Sequence, residues 1–297
     1  MQHPLINYIL AVVLFSANIF FPQFGFVLTF FSPIFVLKYL MDERATLREH
    51  LAATIITGLF AFYSMLFLAY FVMICVFPAF AVYFIAGKKN NIKLDVVVFG
   101  ALPAFIFSLL TIFVFTEYKD AIIRYMVAYL DMVISGYEKQ GGNFDSNAYL
   151  LYLKNNKDAF AYTMVHLMPA FSFSYSALLT VICRKFYFKK ANLSEIRYRV
   201  NDKLIILFVI GGFFIISSDF NYKLVSYNTL IIFTTLFFLQ GLDIINYYFT
   251  RWRLSYFLRL ILYILIFSEP PVIVLVAIFG LFDTWFDMTK IKFRKSG

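Results

Sequence analysis

Charge is scarce in this chain. Only 14% of its 297 residues are Asp, Glu, Lys or Arg, against 62% hydrophobic residues and a mean hydropathy of +0.79. That balance excludes an ordinary soluble domain. Cysteine is scarcer still: Cys75 and Cys183 lie far apart in apolar stretches with no CxxC pair, so neither a zinc site nor a disulfide framework is expected. His3, His50 and His166 are too dispersed to form a metal-ligand set. There is no GxxxxGK[ST] phosphate loop, HExxH pair, GxSxG elbow or paired-carboxylate metal motif. The expectation is therefore a protein that is not an enzyme and holds no cofactor or metal. The opening Met1-Gln2-His3-Pro4 lacks the basic region of a cleaved signal peptide, so the first apolar stretch reads as retained.

What the chain has in quantity is apolar and aromatic bulk, including 40 Phe and 21 Tyr, suited to lipid-facing surfaces and interfacial anchors. Ten apolar segments stand out: Leu5–Phe21, Phe24–Leu37, Leu51–Ala69, Phe71–Ala86, Val96–Thr116, Phe160–Cys183, Leu204–Ser218, Ser226–Thr250, Phe257–Phe267 and Val272–Phe286. Runs such as Leu59–Phe77 do not alternate, which argues against a barrel, and helices satisfy their own backbone in lipid. The expected fold is all-α: a polytopic integral membrane helix bundle of about eight to ten membrane segments, including short hairpins. Leu51–Ala86 is expected to turn near Ala69–Phe71 or to form one long tilted helix. Pro270-Pro271 after Glu269 should break the last apolar region into a hairpin.

The 26 Lys and Arg residues gather in every second gap. Lys38, Arg44 and Arg48 share one gap, and Lys88, Lys89 and Lys93 the next on that side. Arg184, Lys185, Lys189, Lys190, Arg197, Arg199 and Lys203 fill a third, Arg251, Arg253 and Arg259 a fourth, and Lys290, Lys292, Arg294 and Lys295 a fifth. The other side holds only Lys119, Arg124, Lys139, Lys154, Lys157 and Lys223. By the positive-inside rule both termini are cytoplasmic, in a bacterial inner membrane. The net charge of +9 is spread over short loops facing lipid headgroups, so nucleic acid is not an expected partner; the bilayer is.

One integral membrane domain is expected over 1–297, with an outer cap at 117–158 and a basic tail at 288–297. Tyr118–Tyr137 has the pattern of an interfacial amphipathic helix, with Asp120 and Arg124 on one face. Gln140-Gly141-Gly142-Asn143 should end it, and a second short helix should resume near Asn147. Within the membrane, Gln240, Asp243 and Asn246 step by three along one helix and form the clearest candidate polar pathway. His166, Asp219 and Glu269 are candidate ligand contacts on the outer side. Ser172, Ser174 and Ser176, after Pro169, read as helix glue. Asp283 and Asp287 share a face and are expected to pair with Arg251 and Arg253.

The run Gln240-Gly241-Leu242, the helix end Tyr247-Tyr248-Phe249-Thr250-Arg251, the Pro270-Pro271 hairpin and Gly280-Leu281-Phe282-Asp283-Thr284-Trp285-Phe286-Asp287 resemble the C-terminal signature of the YybS-like family of bacterial membrane proteins. His166-Leu167-Met168-Pro169-Ala170, entering a long helix after an outer amphipathic segment, is similar to that family's layout. The resemblance implies a distant similarity to the substrate-binding S-components of energy-coupling-factor vitamin transporters, which dock on a transmembrane subunit with two ATPases. The Ala-x-x-x-Ala docking motif of many S-components has no counterpart here. Two functions are weighed on this basis. One is solute binding or transport of S-component type, with a small-molecule solute and an energising ATPase module as partners. The other is a non-catalytic scaffold that recruits a partner through Lys189, Lys190, Arg197 and Arg199.

Overall fold

The computed structural model describes residues 3–87, 95–139, 148–192, 197–286 and 288. The chain begins with α1 (Pro4–Phe20), α2 (Pro22–Thr29) and α3 (Ser32–Leu40). The expected segment Phe24–Leu37 is thus two short helices, because Pro33 enters the first turn of α3 and cannot continue a helix from α2. Next come α4 (Leu47–Gly58), α5 (Phe60–Tyr63) and α6 (Met65–Phe71), then a π-helical turn at Val72–Val76 that runs into α7 (Phe77–Gly87). The break in this apolar run falls at Ser64, whose backbone is extended (φ −167°, ψ 132°), not near Ala69–Phe71. Met65–Ile85 is then one continuous apolar helix long enough to cross a bilayer. Composition at 69–71 carries no helix breaker, whereas Ser64 is a polar interruption in an otherwise apolar stretch.

The second half holds α8 (Val96–Phe113), α9 (Thr116–Lys139), α10 (Ala148–Asn155), α11 (Lys157–Lys190), α12 (Leu204–Phe213) with a 3₁₀ turn after it, α13 (Phe220–Arg251), α14 (Tyr256–Ser268) and α15 (Pro270–Phe286). Starts are set by side chains that accept orphan amides: Asp95 takes Val97 and Val98 N–H, Asp219 takes Asn221 N–H and Ser255 takes Leu258 N–H. With α6–α7, the helices α8, α11 and α13 are long and apolar enough to span a membrane. At 1.5 Å per residue, α11 and α13 exceed the ~30 Å hydrocarbon core, so their charged ends project from it. The break at Gln140–Asn143, the partner role of Asp287 and the tail from 289 lie outside the described residues.

Two packed cores flank α11. The N-terminal one gathers Tyr8, Phe15, Leu37, Phe60, Phe71, Cys75 and Val82, and reaches α11 at Cys183. The C-terminal one gathers Val97, Ala101, Phe173, Ala177, Phe237, Leu239, Val276 and Ala277. Polar side chains stitch the helices, as expected of a bilayer interior. Ser172 accepts from Ser108 Oγ (2.7 Å), Ser174 meets Thr235 (2.7 Å) and Ser176 donates to Gly100 O (3.1 Å). Near Pro169, Asn228 accepts from Ala170 N–H and donates to His166 O, repairing the helix where proline interrupts it. These contacts, with Lys185–Asp243 further along, make α11 and α13 parallel.

The pair α14–α15 turns back on itself through 104° at Glu269. Arg259 reaches Phe249 O and Phe267 stacks edge-on to Phe238, so α14 runs against α13; Gln240–Asp283 and Tyr248–Met288 make α15 run with it. The pair is thus bent at its prolines, with both open ends on the side that the flanking charges call for. Its turn reaches only the level of Phe238, midway along α13, and so does not place Glu269 at the outer side as expected. Both of its open ends lie beside Arg251, at what we term the basic end of the bundle; the opposite, cap end carries α9 and α10.

Candidate functional site

The sequence candidates at the basic end come together, but on protein rather than around a space. Gln240 is fully buried: its carbonyl oxygen accepts Val200 N–H (2.9 Å) and its amide donates to Asp283 (2.8 Å). Asp243 accepts Tyr198 N–H at 2.8 Å and pairs with Lys185 at 2.9 Å. Asn246 turns to the other flank of α13, where it meets the Tyr263 hydroxyl at 3.4 Å. Arg197 bonds to the buried Asp283, and Arg199 donates to Thr284 O at 2.7 Å. Asp283 thus pairs with Arg197 rather than with the expected Arg251 or Arg253, because residues 197–200 pass directly across the ends of α13 and α15. Of the four basic partner candidates, Lys189 and Lys190 are exposed, Arg199 is exposed but bonded, and Arg197 is half-buried.

The outer candidates are not brought together. Asp219 caps α13 and is exposed. Glu269 is exposed at the hairpin turn, just beyond the level at which Phe267 meets Phe238 of α13. Along α13 that places it roughly 16 residues from Asp219, or about 24 Å at 1.5 Å per residue. His166 stacks on Tyr162 (centroids 4.0 Å apart) and its Nδ1 lies 2.8 Å from Tyr162 O, so it is held against its own helix.

The space lies elsewhere, midway along α11 and α13. A cavity of about 570 Å³, more open than enclosed, is lined by Phe30, Tyr70, Ile74, Met168, the exposed Phe171, Ser172, Ser174, Tyr175, Leu178, Thr235, Phe238 and Leu239. It sits where the two cores fail to meet: one wall comes from α6 and the π turn, the other from α11 and α13. The π turn is the local cause on one side. Its wider winding shifts the register of the helix by a residue, and such turns recur at functional sites. No charged side chain lines the cavity, and the hydroxyls of Ser172, Ser174 and Thr235 are engaged with protein partners. Such a wall desolvates an apolar group at little cost and penalises a charge heavily. The volume falls in the range of small-molecule sites. No group of three or more His, Cys, Asp or Glu suited to a metal occurs among the described residues.

Sequence reasoning follows the polar residues and misses this cavity. Its lining is largely Phe, Leu, Met and Ile in apolar helices, and the hydroxyls of Ser172 and Ser174 read from sequence only as glue. No sequence signal marks a π turn at Val72–Val76.

The family described as "Predicted membrane protein (DUF2232)" matches residues 9–284, and the chain belongs to it, in agreement with its likeness to YybS-like proteins. No curated protein and no solved structure is significantly similar to the chain.

Proposed function

We propose that this member of the DUF2232 membrane-protein family binds a small, uncharged and mainly apolar molecule in the cavity between the π turn, α11 and α13, as the solute-binding component of a transport process. The observation that carries the reading is the cavity itself: about 570 Å³, at mid-depth in the longest apolar helices, with a lining free of charge. The occupant disfavoured by that lining is a charged metabolite. The orientation favoured by the charge bias is a bacterial cytoplasmic membrane with the basic end inside. The chain carries no nucleotide-binding motif, so energised uptake calls for an ATPase module as a partner.

Benzophenone, an uncharged diaryl ketone that photolabels C–H bonds, is a direct probe. Irradiated with the solubilised protein, it should label Met168, Leu178, Ile74 or Phe238 at near-stoichiometric yield, read by peptide mass spectrometry. Labelling spread over lipid-facing residues such as Ile206 and Leu275, with none in the cavity, contradicts the reading. The scaffold alternative retains one supporting observation, the exposed pair Lys189 and Lys190 at the end of α11. Neutralising both should release a bound protein partner if that reading holds; a partner that stays bound rules it out.

A further inference from the structure

On the reading that the cavity is the binding site, we infer that Ser172 is the donor that selects its occupant, an uncharged molecule with an acceptor oxygen of carbonyl or ether type. Each hydroxyl has one proton to give and two lone pairs with which to accept. Ser108 Oγ donates to Ser172 Oγ at 2.7 Å, which spends the Ser108 proton and leaves that of Ser172 with no acceptor among the described residues. The other hydroxyls of α11 and α13 in the cavity are accounted for. Thr235 donates to Ile231 O at 2.9 Å, so in its contact with Ser174 it can only accept, and Ser174 is the donor. The Tyr175 hydroxyl reaches Thr29.

A second donor borders the same corner. Tyr70 stands edge-on to Phe107 of α8 (centroids 5.5 Å apart), and its buried hydroxyl lies beside Ser108 without completing a hydrogen bond among the described residues. Where α6, α8 and α11 meet, the wall therefore offers two hydroxyl protons that no described residue takes. An unmet donor away from water costs about 1–3 kcal/mol, whereas a spare lone pair, such as those on Ser174, is the commoner and more tolerated case. The demand at this corner is for an acceptor. A cation has none to offer, and a carboxylate would bring charge against a wall made mainly of Phe, Leu, Met and Ile. A neutral oxygen meets the Ser172 proton while the rest of the molecule covers Leu178 and Phe238. One placed polar group in an apolar pocket fixes the orientation of a ligand, and it favours a ketone, ester or ether over a hydrocarbon of the same shape.

Benzophenone and diphenylmethane share a skeleton and differ in the carbonyl oxygen, so the pair isolates this contact. Photolabelling of Met168 by benzophenone in the solubilised full-length protein gives a half-saturating concentration, and diphenylmethane is titrated as its non-labelling competitor. In the wild type, benzophenone should bind about threefold to tenfold more tightly than diphenylmethane once the partition of each into detergent is subtracted, the scale of one neutral hydrogen bond. Ser172→Ala should weaken benzophenone by that factor and leave diphenylmethane unchanged. Equal binding of the two ligands by the wild type overturns the inference, and needs no variant to fold. So does an advantage of benzophenone that survives Ser172→Ala. A variant that weakens both ligands alike overturns it as well, because Ser172 then only shapes the wall. In all three cases Met168 is labelled in the wild type and the binding site stands. If benzophenone does not label Met168 even in the wild type, the cavity reading falls and the role of Ser172 with it, an outcome distinct from the others.

Discussion

Asp95, Asp243 and Asp283 converge on the segment Arg197–Val200, yet each is held differently. Asp95 caps α8, and burial pushes its carboxyl above the usual range although Val98 and Val97 N–H and the Tyr198 hydroxyl oppose the shift. Burial likewise raises the Tyr198 phenol, and the nearby Asp95 adds to the rise. A carboxyl whose folded pKa is raised binds its proton more tightly in the folded protein, so its contribution to stability is present at low pH and is lost as pH climbs from about 3.8 through the folded value. Asp95→Asn, which can still cap the helix, should therefore gain on the wild type between pH 4 and pH 7 in thermal melts. A difference that stays constant over that range contradicts the assignment. Gln240→Leu strands Val200 N–H and one side of Asp283, and should cost about 1–3 kcal/mol, visible as a lower melting temperature. The polar residues of α13 are legible as important from sequence, because ionisable groups in apolar helices are rare. Their partners are not, since Tyr198 and Val200 contribute backbone amides, which no residue type announces. By contrast Asp219→Asn, exposed at the start of α13 and far along that helix from Thr235, should leave retention of a cavity ligand unchanged. Loss of the ligand in that variant would restore the outer-side site that sequence alone favours.

Helix pairing explains why the bundle can hold a mid-depth cavity and still be tight at its basic end. Gly241 and Gly280 face one another across α13 and α15, and a methyl on either would collide with backbone of the other helix: Val276 O in one case and Phe237 O in the other. That close approach is what brings Asp283 beside Gln240. Gly280→Ala should cost about 1–3 kcal/mol and loosen the hold of α15 on Arg197–Val200, because backbone cannot yield as a side chain does. Gly136 in α9 and Gly58 in α4 meet nothing within 4 Å. Gly136→Ala should instead stabilise by about 0.5–1 kcal/mol through helix propensity. Melting curves that rank the two substitutions the other way would contradict the α13–α15 geometry. At this scale the sequence is informative where an element is bounded by charge or proline. The amphipathic α9, the resumption at α10 and the α14–α15 hairpin are all expected from it. It is less informative inside long apolar runs, where a lone Ser64 or Pro33 decides a break and no residue type marks the π turn.

Across the whole molecule, α11 joins two cores, and the cavity occupies the gap between them at mid-depth. That gap is the place which the proposed function assigns to a small molecule. The class of the chain and its helical fold follow from composition and charge bias, which act over many residues. The site does not, because a cavity is set by where side chains fail to fill space, and apolar sequence is silent on that. Native mass spectrometry of the gently solubilised protein, wild type beside Leu178→Trp with Met168→Trp, tests the central claim most directly. The account predicts one uncharged small molecule retained by the wild type and lost from the doubly filled variant, with both proteins equally folded. A wild type that carries no such molecule, or a variant that keeps it, would contradict a binding site in this cavity.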